Sequence, residues 1–262
     1  MTFAELKSSN IGIAEKLDAA ILEIHNLEGR LIRIKQIIGE ANLAGSAVVQ
    51  ASMQNTSCIL LHASARSEAR FPGLFVDTGV HFPQTLELIG HYRREVIEII
   101  VATPDMSMNR QTREFGRVLH LHDENNDDDK EGKGYQTCCH LRKRLPLEKA
   151  MKAGQYRFAL SGLRRAEGLR RADLRPTYWD DAGEFLRIHP LFDWTDQEVQ
   201  DYIHDYRVRT NELYNLGYTS IGCFTCTTPT HVGESRRAGR WRHLQSSGGY
   251  CGINAGEGDP SI

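Results

Sequence analysis

The sequence has no excess of charge of either sign. Its 262 residues include 32 Lys and Arg against 34 Asp and Glu, so the formal net charge is -2 and the pI is near 6.6. Proteins that bind nucleic acid or anionic lipid through a broad positive field carry a clear basic excess. We therefore expect no nucleic-acid partner, and any anion site must be built from a few local basic residues.

Long apolar runs are also missing. No apolar stretch approaches the roughly 20 residues that a membrane-spanning helix needs. The first residues, MTFAELKSSN, show neither the basic segment nor the apolar segment of a secretory signal. We expect a cytoplasmic protein with no membrane partner. The hydrophobic content of 40% is nevertheless sufficient for a large core, which excludes global disorder.

The cysteines do not follow the pattern of a secreted protein stabilised by disulfides. A chain of 262 residues does not need disulfides to hold its core together. The six cysteines are Cys58, Cys138, Cys139, Cys223, Cys226 and Cys251. One pair is adjacent and one has a Cys-x-x-Cys spacing, whereas Cys58, near the start of an apolar helix, is assigned to core packing.

The two cysteine pairs together predict a metal site made of four thiolates. Structural zinc normally uses two Cys-x-x-Cys pairs, and an adjacent pair such as Cys138-Cys139 crowds both ligands onto one side of a single ion. An iron-sulfur cluster, with its irons at separate corners, accommodates the adjacent pair more easily. Zinc and redox dithiols remain the alternatives on spacing alone.

Three basic residues, Arg142, Lys143 and Arg144, follow the adjacent cysteines. Cations at this point would offset the negative charge of a thiolate-ligated cluster or hold an anionic substrate close to it. A solvated helix start with basic residues is the alternative interpretation. The acidic stretch at 123–131, DENNDDDKE, is predicted to be a solvated loop, because it lacks the glycine-punctuated spacing of a calcium loop.

Hydrophobic periodicity predicts an α/β fold. Residues 12–39 carry Ile and Leu at spacings of three and four, which indicates a helical layer broken near Gly29. This layer covers the core or, alternatively, forms the surface of a homo-oligomer. Five β-type runs follow, at 46–52, 74–77, 95–102, 157–160 and 184–188, with helical stretches at 55–67 and 84–94. Such alternation predicts a mostly parallel, twisted sheet flanked by helices.

Several motifs carry a resemblance that runs in order from about residue 48 to residue 254. They are CCHLRKRLPLEKAM, SGLRR, IHPLFDWTDQEVQDYI, NELYNLGYTSIGCFTCTTP, RAGRW and YCGI. The chain resembles the assimilatory adenylyl-sulfate reductases, the iron-sulfur branch of the APS/PAPS reductase family. The resemblance implies an ATP-pyrophosphatase-like fold, similar to the adenine nucleotide alpha hydrolases. It also implies a 4Fe-4S cluster, with these ligands: Cys138, Cys139, Cys223 and Cys226.

The resemblance also implies a division of the chain into three parts. Residues 1–45 form an N-terminal helical segment, and residues 46–241 form the nucleotide-binding and iron-sulfur reductase domain. Residues 242–262 form a mobile, glycine-rich tail that carries the nucleophile Cys251.

The substrate-binding residues implied by the resemblance lie after the predicted strands and in the basic motifs. They are Ser52, Asp77, Gly79, Arg142, Lys143, Gly162, Arg164, Arg237 and Arg240. The two arginines of the RAGRW motif would grip the phosphosulfate, because planar guanidinium groups make bidentate bonds to tetrahedral oxyanions.

The implied reaction begins with attack by the thiolate of Cys251 on the sulfur of adenosine 5'-phosphosulfate. AMP leaves, and an S-sulfo group remains on the cysteine. A dithiol of thioredoxin or glutaredoxin then releases sulfite. This reaction belongs to sulfate assimilation.

Some positions depart from the family pattern. The turn after the first strand reads Ser52-Met53-Gln54, where Ser-Phe-Gly is usual, and His189 stands in place of Asn. Ala166-Glu167 replaces a more usual polar pair, and near the nucleophile Gly248 and Gly249 stand where a Lys is common. Tyr250 and Asn254 take the places of Glu and His. The alternatives are therefore a divergent member that uses another adenylyl substrate or transfers sulfur, and a non-catalytic cluster-bearing nucleotide sensor.

Overall fold

The computed structural model describes residues 3–43, 45–115, 137–167 and 171–242. Two N-terminal helices come first, α1 (Phe3–Glu23) and α2 (Leu27–Glu40). The sequence predicts a break between these helices near Gly29, and the structure places it at Asn26, three residues earlier. The side-chain oxygen of Asn26 caps α2 by accepting a hydrogen bond from the Gly29 amide at 2.6 Å.

Six strands form a single sheet. They are β1 (Ala47–Gln50), β2 (Gly73–Val76), β3 (Ile99–Ala102), β4 (Phe158–Leu160), β5 (Thr177–Asp180) and β6 (Phe185–Ile188). Their spatial order is β3-β2-β1-β4-β6-β5, and every neighbouring pair is parallel except β5 with β6. The predicted α/β class with a mostly parallel sheet is confirmed.

Within the described residues, five further helices flank the sheet or follow it. They are α3 (Asn55–Arg66), α4 (Pro83–Glu95), α5 (Met108–Phe115), α6 (Leu145–Ala153) and α7 (Asp196–Tyr206). A π-helical turn, His140–Arg144, runs directly into α6. Short 3-10 turns cover Arg165–Glu167, Glu212–Leu216 and Phe224–Cys226. No helix in the described ranges is long and apolar enough to cross a membrane.

Four of the five predicted strands are one to four residues too long, and the run predicted over 74–77 is displaced by one residue from β2. The run predicted over 95–102 is shortened to Ile99–Ala102, because α4 continues to Glu95. Sequence patterning did not predict β5 at all. This edge strand obtains its backbone partners only from β6, in an antiparallel pairing that opposes Thr177 to Ile188.

The N-terminal helices share the core of the sheet. Leu17, Ile21, Leu31 and Ile34 are buried in the same hydrophobic cluster as Val49 of β1. A smaller cluster on the other face joins β1, β2 and α6. The helical layer therefore covers one face of the sheet, while the predicted domain boundary at residue 45 stays a prediction.

A buried ionic network fastens the antiparallel edge of the sheet to the π-helical turn. Asp180 of β5 accepts hydrogen bonds from Arg187 Nη2 at 2.6 Å and from Arg144 Nη1 at 2.7 Å. Burial by itself would raise the pKa of Asp180, but the two guanidinium groups outweigh it and lower the pKa. Arg187 Nη1 also donates to Gln50 Oε1 at 3.2 Å, which extends the network to β1.

His189, a departure from the family pattern, is completely buried directly after β6. Its Nδ1 lies 2.7 Å from the Ser161 hydroxyl. Burial, together with the positive charge of Arg187, lowers the pKa of this histidine to about 3. His189 is therefore neutral in the folded protein over the physiological pH range.

We predict that His189 makes the protein less stable in mild acid. The unfolded chain takes up a proton near pH 6.5, whereas the folded chain does so only at about 3. The contribution of His189 to stability is thus complete above the unfolded pKa and is lost as pH falls below it. The free energy of unfolding should decrease by up to about 1.4 kcal/mol per pH unit below about 6.5.

Urea unfolding between pH 7.5 and pH 4.5, at about one-unit steps, measures this effect. His189→Asn keeps a partner for the Ser161 hydroxyl and should show a shallower loss of stability with acid. His204→Asn, at a histidine whose side chain is 90% exposed, is the matched control and should behave as the wild type. Equal slopes for the wild type and His189→Asn would contradict the prediction.

Candidate active site

A cavity of about 130 Å³ lies at the carboxyl ends of β1, β2 and β4. The chain runs outward from β1 through β2 to β3, and then returns to place β4 on the other side of β1. Ligands of open parallel sheets bind in the crevice formed where the strand order reverses in this way. The topology therefore places the cavity where a ligand site is expected.

The turn between β1 and α3 forms the first wall. Ser52 is exposed and lines the cavity, while its substrate contact stays a prediction. Met53, which departs from the family pattern, is fully buried and has a left-handed backbone with φ of 56°. Gln54 Oε1 accepts a hydrogen bond from the Ile221 amide at 3.3 Å. The turn thus leads into the amino end of α3, where backbone amides and the helix dipole favour an anion.

Gly162, at the end of β4, allows this turn to pack closely. A Cβ atom at this position would lie 2.6 Å from Thr56 Oγ1 and 2.9 Å from the Thr56 carbonyl carbon. Only glycine permits such an approach of the β4 turn to the start of α3. Gly162 and Thr56 both line the cavity.

The π-helical turn contributes three consecutive cations, and all three are buried. Arg142, Lys143 and Arg144 have relative exposures of 4%, 8% and 6%. A solvated helix start is therefore the wrong interpretation of this motif. Each cation has different surroundings, and only Lys143 lines the cavity.

Arg142 stabilises the loops after β2 and β3. Its guanidinium donates to the carbonyl oxygen of Thr78 at 2.5 Å, to that of Met106 at 3.0 Å and to Gln111 Oε1 at 3.1 Å. The predicted substrate residues Asp77 and Gly79 belong to the same loop and do not line the cavity. Asp77 Oδ1 accepts from the Gly79 amide at 2.9 Å.

Arg164 likewise makes its contacts with other residues of the protein. It is fully buried, donates to the carbonyl oxygen of Trp194 at 2.9 Å and pairs with Asp196 at 2.5 Å. It does not line the cavity. A direct role in substrate binding for Arg164, as for Arg142, Asp77 and Gly79, stays a prediction.

The four paired cysteines are buried next to this cavity. Cys138 and Cys139 come directly before the π-helical turn, and Cys223 and Cys226 lie in and around the 3-10 turn Phe224–Cys226. An antiparallel bridge between His81 and Cys223 brings the second pair to the loop after β2. Thr78 Oγ1 lies 3.4 Å from Cys223 Sγ, and Gln111 Nε2 donates to Cys138 Sγ at 3.8 Å.

The charges around the sulfurs favour a bound cation or cluster. Burial raises the pKa of Cys138 to about 12, and the charges of Cys139 and Cys223 act in the same direction. A hydrogen bond from the Cys226 thiol lowers the pKa of Cys223, and the positive charge of Lys143 acts in the same direction. Four buried thiols are therefore costly to ionise together unless metal charge compensates them.

Four buried thiols are a donor set that either an iron-sulfur cluster or a zinc ion can use. Among the residues that the structure describes, no three His, Cys, Asp or Glu side chains form a group that could hold one metal ion. Hydrogen bonds to the sulfurs, as from Thr78 and Gln111, are typical of cluster sites.

Arg237 and Arg240 also line the cavity. Arg240 is 5% exposed, and its Nε and Nη2 atoms have no hydrogen-bond partner within the described part of the chain. The guanidinium carbon of Arg240 lies 4.5 Å from the centre of the Trp241 ring. A Cβ at Gly222 would lie 2.4 Å from Arg240 Nη2, so a larger residue beside Cys223 would displace this guanidinium.

Four further lining residues belong to turns that the resemblance assigns to the site. Thr78 and His81 lie in the turn after the second strand that the resemblance places around the adenosine, and Gln54 and Glu167 stand in the two turns that depart from the family pattern. Sequence reasoning did not assign Gln50 and Arg171 to the site. The position of Gln50 at the end of β1 was the available signal, because parallel strands bring such residues to one edge. Glu167 and Arg171 form an ion pair at this wall.

The predicted nucleophile Cys251 lies outside the described residues, as do Tyr250 and Asn254 and the acidic stretch 123–131. Its position relative to the cavity stays a prediction, together with the predicted tail at 242–262.

Comparisons with known proteins agree on fold and family. Residues 46–229 match the family described as phosphoadenosine phosphosulfate reductase domain. Adenosine 5'-phosphosulfate reductase of Streptomyces coelicolor is 35% identical over 79% of this chain and 80% of its own length. The reductase of the same name from Mycolicibacterium smegmatis is 31% identical over 82% of this chain and 84% of its own length.

Among solved structures, phosphoadenylyl-sulfate reductase from Candida auris superposes with a TM-score of 0.64. The match covers 82% of this chain and 96% of that chain at 22% sequence identity. FMN adenylyltransferase from Candida glabrata superposes with a TM-score of 0.52 at 15% identity, covering 85% of this chain and 75% of that one.

The sheet order and the cavity at its switch point define an α/β protein with the ATP-pyrophosphatase-like fold. With a family match across most of the chain and relatives above 30% identity, the chain belongs to the phosphoadenosine phosphosulfate reductase family. It is an oxidoreductase acting on sulfur.

We predict that Arg240 is a main anion-binding group of the cavity. Arg240→Met keeps an apolar stem against Trp241 and removes the guanidinium, so binding of inorganic pyrophosphate should weaken about 10- to 100-fold. Calorimetric titration measures the affinity. Arg242→Met, at an arginine paired with Glu234 at 2.7 Å outside the cavity, is the control and should bind normally. Equal affinities for the two variants would contradict the assignment.

Proposed function

We propose that the protein reduces adenosine 5'-phosphosulfate to sulfite and AMP in sulfate assimilation. The observation that carries this proposal is the meeting of two features at one edge of the sheet. A cavity lined by Lys143, Arg237 and Arg240 adjoins a buried group of four cysteines, and Cys223 belongs to both. The curated relatives named adenosine 5'-phosphosulfate reductase support the same substrate.

The cavity suits an anionic nucleotide. Lys143 and Arg240 are buried and Arg237 is half-buried, so their positive charge is partly shielded from solvent and interacts with a phosphosulfate group more strongly than on an open surface. Ser52 and Gly162 stand at the turns after β1 and β4, beside the amino end of α3. The overall charge of -2 is no obstacle, because the field is local.

Cys251 is the proposed nucleophile. Its thiolate sulfur forms a bond to the sulfur of the substrate, and the bond from that sulfur to the phosphate oxygen breaks. AMP leaves with the electron pair of this bond, and Cys251 retains the S-sulfo group. Arg240 and Lys143 stabilise the negative charge that develops on the phosphate as it leaves.

A dithiol protein such as thioredoxin or glutaredoxin completes the reaction. One of its thiolates attacks the Sγ atom of Cys251, and sulfite leaves with the electron pair of the S–S bond. The second thiol of the dithiol then resolves the mixed disulfide, which restores the Cys251 thiol and oxidises the reductant. The two electrons of the reduction thus come from the dithiol.

The four cysteines would hold a 4Fe-4S cluster. The proposed ligands are Cys138, Cys139, Cys223 and Cys226, all buried and free of disulfides. When bound, such a cluster supplies fixed charge beside the cavity. Lys143 lies between the sulfurs and the cavity, so its charge acts on both. The dithiol chemistry requires no electron from the cluster.

We predict a covalent intermediate on Cys251. Anaerobically purified protein mixed with adenosine 5'-phosphosulfate and no reductant should gain one S-sulfo group, detected by intact-mass and peptide mass spectrometry. Cys251→Ser should gain none, whereas Cys58→Ser, at a cysteine buried in α3, should react as the wild type.

Reduced thioredoxin should remove the S-sulfo group and release sulfite. An adduct that persists in Cys251→Ser, or no adduct on the wild type, would overturn the proposed reaction. An adduct that thioredoxin does not release would indicate sulfur transfer to another acceptor instead.

We also predict that the four paired cysteines bind iron. Anaerobic wild-type protein should contain iron and acid-labile sulfide at about four of each per chain and absorb in the visible charge-transfer region. Cys223→Ser should lose most of this absorbance, because it removes one of the four thiolates, while Cys58→Ser should retain it. Stoichiometric zinc in place of iron would refute the cluster assignment.

A further inference from the structure

We infer that Gln111 is a positioning residue for the first cysteine pair. Its side-chain amide donates a hydrogen bond to the Cys138 sulfur and so modifies the bond that this sulfur makes to metal. The inference rests on the proposed function in one respect, since it takes the four paired cysteines to be metal ligands. Gln111 lies on α5, whereas Cys138 comes directly before the π-helical turn, 27 positions further along the chain.

The burial of Gln111 sets it apart from the rest of its helix. Of the eight residues of α5, all of which the structure describes, only Gln111 is buried, with a relative exposure of 1%. An apolar side chain would be enough to hold a helix on the protein, because a buried amide loses its hydrogen bonds to water. The amide of Gln111 therefore requires protein partners for both its oxygen and its nitrogen.

Arg142 determines which way this amide points. Its Nη1 atom lies 3.1 Å from Gln111 Oε1, and a guanidinium group can only donate, so the oxygen is the end that faces Arg142. The nitrogen, Nε2, consequently faces the other way and donates to Cys138 Sγ at 3.8 Å. Nη1 of Arg142 also donates to the carbonyl oxygen of Met106 at 3.0 Å, shortly before α5. Arg142 thus holds both the helix and its amide in place.

A donor in a fixed position changes how a thiolate binds metal. Groups that hydrogen-bond to a metal ligand orient that ligand and determine metal affinity, and hydrogen bonds to sulfur alter the properties of a cluster. The positive charge of Arg142 on the amide oxygen polarises the amide and makes its N–H a stronger donor. Arg142 does not line the cavity, and its charge acts on the Cys138 sulfur through Gln111.

Two variants separate the hydrogen bond to sulfur from the contact with Arg142. Gln111→Glu keeps an oxygen that accepts from Arg142, but it replaces the N–H donor by a second carboxylate oxygen, which can only accept. Gln111→Met keeps the length of the side chain and removes both contacts. Arg110→Gln is the matched control on the same helix, since the Arg110 side chain is 61% exposed.

The first readout is the rate at which anaerobically purified protein releases its metal to an excess of chelator. Release should be about 10-fold faster in both Gln111 variants than in the wild type, because loss of a group that hydrogen-bonds to a metal ligand weakens metal binding by this order. Arg110→Gln should release metal at the wild-type rate. Urea unfolding of the metal-loaded proteins shows whether either substitution at Gln111 also destabilises the fold.

The second readout is the resonance Raman spectrum, which reports the metal–thiolate bond itself. In iron-loaded protein the iron–thiolate stretching bands should shift in both Gln111 variants relative to the wild type. Transfer to D2O should also shift these bands less in the variants than in the wild type, because one exchangeable hydrogen on sulfur has been removed. A residue that only packs α5 against the protein would leave the bands unchanged.

The outcomes are distinct. Wild-type release in Gln111→Glu, even with faster release from Gln111→Met, would overturn the inference, because the contact with Arg142 would then be the only contribution. Faster release from iron-loaded variants with unshifted bands would assign Gln111 to packing and also overturn it.

The cluster, the reaction and the hydrogen bond can each fail separately. Zinc in place of iron would refute the cluster alone, and the release rates would still decide the role of Gln111. A wild-type protein that holds no metal would overturn both the metal site and the inference. If release depends on Gln111 and no S-sulfo adduct forms on Cys251, the hydrogen bond stands and only the proposed reaction fails.

Discussion

Three consecutive buried cations in the π-helical turn impose the main electrostatic constraint on this structure. A charge removed from water requires a compensating partner, and Arg142, Lys143 and Arg144 obtain theirs from three different regions. Arg144 pairs with Asp180 and so connects the turn to the edge of the sheet. Arg142 donates to loop carbonyls after β2 and β3. These contacts hold the turn on both sides and leave Lys143 facing the sulfurs and the cavity.

The backbone allows this charge to come close to a ligand. Gly162 brings the end of β4 against the start of α3, and Gly222 makes room for the guanidinium of Arg240 beside Cys223. A side chain at Gly162 would push the turn after β4 away from α3, and one at Gly222 would displace the guanidinium of Arg240. The positive wall, the amino end of α3 and the cysteine group are thus held within one crevice by close packing as well as by charge.

The positive charge of the cavity comes from separate parts of the chain. Lys143 belongs to the π-helical turn, whereas Arg237 and Arg240 follow the second cysteine pair, and all three line the cavity. Charged groups shielded from water contribute strongly to the affinity for an anion. One crevice can therefore attract a small anion although the chain as a whole carries a net charge of -2.

The sequence by itself determined the alternation of strands and helices, the two closely spaced pairs of cysteines and the family. These features depend on local periodicity and on short spacings along the chain. It did not determine the edge strand Thr177–Asp180, which exists through pairing with β6. Nor did it show that of three neighbouring cations only Lys143 lines the cavity, or that Gln50 belongs there. The side-chain directions within the π-helical turn are set by contacts with residues distant in the chain, such as Asp180 and Thr78. Only the tertiary structure brings those residues together.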